Sequence, residues 1–383
     1  MAFGVYVHIP FCATRCDYCD FATWTDREHL VDEYVDACVA DVTRRAHTGI
    51  PPVTSVFFGG GTPSLMRASQ LARILDAVPR TPDAEVTVEC NPDSVDLAKL
   101  LAYRAAGVNR LSFGVQSTRA HVLAALGRTH DRANVTRAVV WARDAGFERL
   151  NLDIIYGTTG ESLADWEATL ADVLELEPTH VSAYALTVEP ATPLGQRVAA
   201  GTQSPPDDDD QADKYILADE RLAAAGLANY EVSNWATPGE ECRHNLLYWQ
   251  QREYLGIGSA AHGHMAGRRW WNVRQPERYI ERIERDMSPE AGAEQLDPVR
   301  RAEERFALAL RTRAGAVIAR GHEPDATVAA LAADGLVETR PLDLVTLTRR
   351  GRLLANDVTT RLWIAGAAAA PPGRPVAVST QYT

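Results

Sequence analysis

The 383-residue chain exceeds the usual limit for a single hydrophobic core, so its length predicts one large domain together with a smaller one. Its composition, with 46% apolar and 23% charged residues, is that of a folded globular protein and excludes a fibre. A formal net charge of −12 argues against nucleic acid as a partner, because an extended nucleic-acid interface requires a basic face.

Short β-rich runs alternate with amphipathic helical patterns over the first half of the chain. The six runs lie at residues 5–9, 53–58, 86–89, 110–115, 150–156 and 180–188. The helical patterns lie near residues 27–47, 69–78, 94–106, 131–145 and 162–176. Because right-handed crossovers wind such units side by side, they predict an α/β fold with a partial parallel barrel. Barrels of this kind carry their chemistry on the loops that follow the strands.

The second half of the chain predicts a change of architecture. Its acidic run at 207–210 favours a helix N-terminus, with the helix reaching about residue 225. After residue 290, two helical patterns (298–313 and 326–334) precede two strands around a turn in the segment 336–351, which is typical of a small winged-helix-like α+β domain. We therefore divide the chain into a barrel (1–235), a connecting region (236–290), a C-terminal domain (291–365) and a disordered Ala/Pro/Gly-rich tail (366–383).

The sequence predicts a cytoplasmic protein without membrane insertion. It contains no run of 18 apolar residues, and its first residues lack the basic and apolar regions of a signal peptide. In a reducing cytoplasm, a chain of this size needs no disulfides, so metal ligation is the better use for clustered cysteines. Cys38, in a helical pattern, and Cys90, at the end of a strand, are predicted to be core residues, whereas the role of Cys242 stays open.

The segment FCATRCDYCDF (residues 11–21) places Cys12, Cys16 and Cys19 on the loop after the first strand. Four cysteines would complete the coordination of a zinc ion or a four-iron cluster, whereas three leave one metal position open. A catalytic or ligand-exchanging metal requires such an open position. A structural zinc protein without turnover is the alternative from another class.

This cysteine spacing resembles the signature of the radical S-adenosylmethionine superfamily. The segments YVHIPFC, FFGGGTPSL, VECNPD, RLSFGVQS, LGRTH and NLDIIYG resemble its branch of oxygen-independent coproporphyrinogen III dehydrogenase and the HemW heme chaperones, over most of residues 4–290. The resemblance implies a partial (β/α)6 TIM-like radical SAM barrel. It also implies a [4Fe-4S] cluster bound by the three cysteines, with the fourth iron chelating S-adenosylmethionine.

The same resemblance implies the residues of the S-adenosylmethionine pocket. Gly60, Gly61 and Thr62 would bring bare backbone close to the methionine moiety, and Glu89 would accept hydrogen bonds from its ribose hydroxyls or amine. The remaining pocket residues are Tyr6, Tyr18 beside the adenine, Gln116, Arg128 with a fork suited to a carboxylate, and Asp153. Taken singly, the glycines could form an ordinary turn and Arg128 with Asp153 a surface ion pair.

Two absences and one motif favour the chaperone over the dehydrogenase. The dehydrogenase usually has a fourth cysteine two residues after the third and a long preceding segment, whereas here Phe21 takes that position and eleven residues precede Cys12. The motif HNLLYW resembles the His-Asn-x-x-Tyr-Trp sequence of HemW proteins and implies heme binding near His244, Tyr248 and Trp249. The implied partners are acceptor hemoproteins, with membrane-associated respiratory ones among the candidates. Decarboxylation of coproporphyrinogen III is the alternative function.

Several residues keep more than one interpretation. His244 could be a packed core residue rather than a heme ligand, and Cys242 could offer a thiolate instead. His262 and His264 end a glycine-rich segment near the pocket and are interpreted as structural histidines. The segment IYGTTGES has two threonines where relatives commonly carry a Leu-Pro pair, so the conformation of that loop is not predicted.

Overall fold

A computed structural model of the chain describes residues 2–368, and these form two compact units. The first unit contains the residues up to Asn229 together with Ser233–Tyr248 and Arg252–Gln295. The second contains Tyr230–Val232, Trp249–Gln251 and the described residues from Leu296 on. Most of the predicted tail, residues 369–383, lies outside the described residues.

Six parallel strands form the centre of the first unit and confirm the predicted partial barrel. They are β1 (Phe3–Ile9), β2 (Val53–Gly60), β3 (Arg80–Cys90), β4 (Arg110–Gln116), β5 (Arg149–Tyr156) and β6 (His180–Ala185). The helices that follow them are α1 (Val31–His47), α2 (Ala68–Ala77), α3 (Leu97–Ala105), α4 (Ala120–Ala125), α5 (Arg132–Asp144), α6 (Leu163–Glu175), α7 (Pro193–Ala199) and α8 (Asp208–Ala224). Because the six strands pair in chain order, their carboxyl ends meet at one edge of the sheet.

Local sequence fixes where several helices begin. The side chains of Asp131, Ser162 and Asp207 each accept a hydrogen bond from a backbone N–H in the first turn of α5, α6 and α8. Such caps satisfy donors that have no partner within the helix. The acidic run therefore occupies the start of α8, as the sequence predicts.

The first unit extends well beyond the predicted barrel. Its additional elements are β7 (Ala228–Glu231, whose last two residues belong to the second unit), β8 (Asn234–Ala236), α9 (Arg243–Trp249, whose last residue belongs to the second unit), β9 (Glu253–Ile257), β10 (His262–Met265), β11 (Arg268–Asn272), α10 (Pro276–Glu284) and β12 (Glu290–Gln295). One sheet of twelve strands runs in the order β12-β11-β10-β9-β1-β2-β3-β4-β5-β6-β8-β7. Residues 236–290 are therefore not a connecting region, because β9 pairs with the free edge of β1 and carries β10 to β12 with it.

The two faces of β1 have different surroundings. Val5, Val7 and Ile9 are fully buried in the main hydrophobic core, as period-two alternation requires. The alternate residues Tyr6 and His8 point to the opposite side of the sheet, which we call the inner face. This inner face carries the polar and aromatic residues of the candidate site.

The second unit has its own small core and confirms the predicted C-terminal α+β domain. Its elements are α11 (Pro298–Leu310), β13 (Ala316–Val317), α12 (His322–Ala333), β14 (Val337–Arg340), β15 (Leu344–Leu347), α13 (Arg349–Leu353) and α14 (Ala355–Ile364). The strands pair in the order β13-β15-β14. Phe306, Leu310 and Leu362 are among the residues of its buried core. Among residues 2–368, no helix is both long and apolar enough to cross a membrane.

Candidate functional site

Two backbone hydrogen bonds hold the start of the cysteine loop, which follows β1. Cys12 donates its N–H to the carbonyl of Trp24 at 3.0 Å, and Trp24 donates to the carbonyl of Pro10 at 2.8 Å. Farther along the loop, the Asp17 carboxylate forms an ion pair of 2.9 Å with Arg197 on α7. These two hydrogen bonds and the ion pair together fix the loop at the carboxyl end of β1.

The three thiols of this loop lie close enough to influence one another. Burial raises the pKa of Cys12, and Cys16 adds to that effect. Burial also raises the pKa of Cys19 to about 11, with further contributions from Cys16 and Cys12. Across residues 2–368, no three His, Cys, Asp or Glu side chains converge as the ligands of one metal ion would. A four-iron cluster instead needs each thiolate at a separate iron.

The glycine run after β2 brings bare backbone against the cysteine loop. Gly60 has a φ of +109°, and a Cβ at this position would lie 2.5 Å from the ring of His8. A Cβ on Gly61 would lie 2.7 Å from the carbonyl oxygen of Phe11 and 3.0 Å from Cys12 Sγ. The Thr62 hydroxyl donates to the same sulfur at 3.6 Å. Only glycines fit this close approach.

Two carboxyl groups lie together on the inner face. Glu89 Oε2 accepts a hydrogen bond of 3.1 Å from the N–H of Gly60. Burial and the nearby charge of Asp153 raise the pKa of Glu89 to about 8, so its carboxyl group is mostly protonated at neutral pH. Burial also raises the pKa of Asp153, although Ser112 and Asn151 both donate hydrogen bonds to it at 2.8 Å. A bound ammonium group would favour the ionised form of either carboxyl.

Arg128 and Gln116 lie at the end of β4, beside the cysteine loop. Arg128 points one nitrogen at Cys16 Sγ, 3.5 Å away, and donates a second to the carbonyl of Gly114 at 2.9 Å. Its Nε is buried and has no hydrogen-bond partner among the described residues. Gln116 has a φ of +63°, a strained conformation for a residue with a side chain. Arg128 thus lies beside the cysteine loop and retains a free donor there, and the Gln116 side chain lies against Gly114.

Tyr6 and His8 form a relay between the inner face and the cysteine loop. His8 Nε2 must donate to the carbonyl of Ala22, at 3.0 Å, because a carbonyl oxygen only accepts. His8 Nδ1 therefore accepts, and the Tyr6 hydroxyl donates to it at 3.0 Å. Burial lowers the pKa of His8 to about 4, which keeps the ring neutral. Sequence reasoning identified Tyr6 and missed His8, although both belong to the segment YVHIPFC.

The HNLLYW segment forms α9, and its histidine lies buried against the inner face. His244 Nδ1 shares a hydrogen bond of 3.0 Å with Ser55, and Nε2 shares one of 2.9 Å with the Tyr248 hydroxyl. Burial lowers the pKa of His244 to about 4. Both ring nitrogens are thus engaged, which favours the interpretation of His244 as a packed core residue. Trp249 ends the helix and belongs to the second unit.

Tyr18 has apolar neighbours. It is half-buried and packs against a small hydrophobic cluster that is separate from the main core. The buried residues of this cluster are Val122, Leu126, Ile155, Leu186 and Leu194. In this conformation Tyr18 anchors the cysteine loop, and its predicted contact with adenine stays a prediction.

The other three cysteines are buried away from the loop. Cys38 and Cys90 belong to the main hydrophobic core, as the sequence predicts. Cys242 Sγ donates to Glu85 Oε1 at 3.6 Å, and burial raises its pKa to about 12. A thiolate at Cys242 is therefore strongly disfavoured.

A buried lysine fixes the loop after β5, which contains the segment IYGTTGES and for which the sequence predicted no conformation. Lys214 on α8 is fully buried and pairs with Glu161 at 3.2 Å and with Asp210 at 2.7 Å. Glu161 in turn accepts a hydrogen bond of 2.8 Å from the N–H of Gly157. The loop after β5 is thus held by an ion pair rather than by a proline. Its only sequence signal is a lysine within an apolar helical pattern.

The residues at this edge of the sheet fit the cofactors that the resemblance implies. The carboxyl ends of the first four strands bring together three interacting thiols, a glycine backbone without side chains, the Glu89 carboxyl and the free donor of Arg128. Thiolates suit iron, and close backbone suits a polar ligand. The thiols could hold a cluster, and the remaining groups could hold a small zwitterionic ligand beside it.

Comparison with known proteins agrees with this arrangement. Residues 6–173 match the family model of the Radical SAM superfamily. The chain is 44% identical over 369 residues to the heme chaperone HemW of Mycobacterium tuberculosis (strain ATCC 25618 / H37Rv), covering 94% of both chains. It is 35% identical to the heme chaperone HemW of Bacillus subtilis (strain 168), covering 93% of this chain and 97% of that protein.

A solved structure shares the fold. The coproporphyrinogen III oxidase HemN from Escherichia coli superposes with a TM-score of 0.81 over 94% of this chain and 90% of that chain. The sequence identity is 23%, so the likeness concerns the fold.

Proposed function

The chain belongs to the HemW family of heme chaperones, and on that premise we propose that it binds heme and passes it to acceptor hemoproteins. In this proposal it also binds a [4Fe-4S] cluster and S-adenosylmethionine. The observation that carries the proposal is the meeting of cysteine loop, glycine backbone and buried carboxyl in a chain 44% identical to a HemW relative over 94% of its length.

The three cysteines would bind three irons of the cluster, which supplies an open iron for the amine and carboxylate of S-adenosylmethionine. The backbone of Gly60 and Gly61 would lie along the methionine moiety, and the Thr62 hydroxyl would donate to the Cys12 sulfur. The other proposed contacts are Tyr6, Tyr18, Glu89, Gln116, Arg128 and Asp153. Glu89 would release its proton when the cationic ligand binds, because a positive charge lowers its raised pKa.

The heme would lie near α9, with Tyr248 among its contacts, and the predicted role of Trp249 stays a prediction from the sequence. Iron ligation by His244 would require the loss of one of its two ring hydrogen bonds, with Ser55 or with Tyr248. The implied acceptors are hemoproteins, with membrane-associated respiratory ones as candidates. A cytoplasmic location and the absence of nucleic-acid partners stay predictions from the sequence.

No observation on this chain favours the alternative function of coproporphyrinogen III decarboxylation. The likeness to HemN lies in the fold. Phe21, at the position where the dehydrogenase usually has a cysteine, is 51% exposed. One scaffold can host both a carrier and an enzyme, so only an activity measurement separates them.

The test is one anaerobic experiment with the reconstituted full-length protein. Reductant, S-adenosylmethionine and coproporphyrinogen III are supplied, and protoporphyrinogen is measured. The same preparation is then titrated with heme. We expect stoichiometric heme binding and no conversion above background, whereas multiple turnovers to protoporphyrinogen would establish the enzyme instead.

A further inference from the structure

Half-buried aromatic rings line the inner face beside α9. Tyr6 stacks on Phe57 with ring centroids 6.3 Å apart, and Tyr248 packs edge-on against Tyr254 at 4.7 Å. His244 joins the two pairs, 5.4 Å from Phe57 and 5.2 Å from Tyr248. We call Tyr6, Phe57, Tyr248 and Tyr254 the aromatic wall. Each of its four members is partly exposed, so part of the wall is accessible to an apolar ligand.

The wall continues across a glycine to an exposed histidine and tryptophan. Tyr6 pairs in register with Gly256 on β9, and a Cβ on Gly256 would lie 2.0 Å from the backbone of His262 on β10. His262 in turn pairs with Trp271 on β11, so both side chains project from the same face. Their ring centroids are 6.1 Å apart, and Trp271 is 38% exposed. A Cβ on Gly292 would meet the Trp271 indole at 2.5 Å, so only glycine leaves room for it.

His262 differs from the other histidines of this face in its hydrogen bonding. His8 and His244 use both ring nitrogens, and His264 is buried with Nδ1 bound to the carbonyl of Arg252 at 2.9 Å. His262 is exposed, and within the described part of the chain its ring has no hydrogen-bond partner. Its nitrogens are thus available to an external ligand.

We propose that His262 is the axial ligand of heme iron and that Trp271, Tyr248 and Tyr254 supply aromatic contacts to the macrocycle. This assignment rests on the proposed heme chaperone function and replaces His244 as the iron ligand. The ring nitrogens of His262 have no partner among the described residues and lie on the same face as Trp271, so they are available to the iron of a heme that contacts this face.

The chemistry requires one coordinate bond. The neutral imidazole donates a nitrogen lone pair to the iron, and no electron is transferred. The exposed Arg274 lies near enough to His8 to affect its pKa, and its guanidinium can pair with a heme propionate.

The test compares His262→Ala with the wild type and with His47→Ala, which removes an exposed histidine at the end of α1. Each full-length protein, carrying its cluster, is titrated with hemin, and the axial ligand is identified by electron paramagnetic resonance and visible spectra. We expect His262→Ala to lose the imidazole signature and to bind hemin about tenfold or more weakly, with unchanged iron in the cluster. Added imidazole should restore the signature, and His47→Ala should resemble the wild type.

Two negative outcomes are distinguishable. If the wild type binds no hemin, the proposed function fails and the assignment fails with it. If the wild type binds hemin and His262→Ala keeps both the imidazole signature and the affinity, only the assignment is overturned. A loss of the signature in His244→Ala, with His262→Ala unchanged, would return the ligand to α9.

Discussion

Replacement of Glu89 by Gln should stabilise the apoprotein at alkaline pH and leave its stability nearly unchanged at acid pH. The Gln side chain keeps an oxygen that can accept the hydrogen bond of the Gly60 N–H. It cannot ionise, however, so it removes the cost of placing a charge beside Asp153 in a desolvated position.

The magnitude follows from the pKa of Glu89, which rises from 4.5 to about 8 in the folded protein. One pKa unit corresponds to about 1.4 kcal/mol, so the shift is equivalent to at most about 5 kcal/mol. Below the lower pKa, both the folded and unfolded states hold the proton. Between the two values only the folded state holds it, and stability falls as pH rises. Above the upper value the loss is complete.

The assay is denaturant unfolding of both apoproteins under reducing conditions at about pH 5, 7 and 9. The free energy of unfolding of Glu89→Gln minus that of the wild type should grow steadily over this range. A difference of the same size at all three pH values would refute the reasoning, because it would mean that Glu89 ionises normally in the fold.

Three further substitutions test the remaining parts of the site. Cys16→Ala should abolish the four-iron cluster, whereas Cys90→Ala should leave the iron content unchanged; iron analysis after anaerobic reconstitution decides. Lys214→Met leaves the buried carboxylate of Glu161 without its ion-pair partner and should lower the free energy of unfolding by about 3–5 kcal/mol. An unchanged denaturation midpoint would contradict the role of Lys214 in holding the loop after β5. Gly60→Ala places a methyl group against the imidazole ring of His8 at positive φ and should lower the free energy of unfolding by about 1–3 kcal/mol. The control Gly49→Ala also has positive φ but faces open space, so its loss of stability should be smaller. Equal losses would contradict the close approach of Gly60 to His8.

The central strands and the cysteine loop were predictable because their signals are local. Alternating and continuous apolar runs mark β1 to β6, and the spacing of Cys12, Cys16 and Cys19 identifies the loop. The edge strands β9 to β12 were missed, since each has six residues or fewer and glycines interrupt β9, β10 and β12. Their strand character comes from pairing with β1, which no local pattern records.

Long-range partners decided the roles of single residues. His244 belongs to a segment that resembles a sequence motif of HemW proteins, yet Ser55, 189 positions away, shares a hydrogen bond with one of its ring nitrogens. The raised pKa of Glu89 depends on Asp153, which lies two strands away in the sheet. Such contacts follow from strand register, so sequence alone could name these residues without assigning their states.

The central claim, that this protein carries heme for delivery, is tested most directly by a transfer measurement. The full-length protein with its cluster is loaded with one heme and mixed with membranes from heme-starved bacteria, and the heme spectrum of each fraction is followed. The account predicts that heme leaves the protein and appears in membrane cytochromes faster than free heme does. Heme that stays on the protein, or that reaches the membranes no faster than free heme, would contradict it.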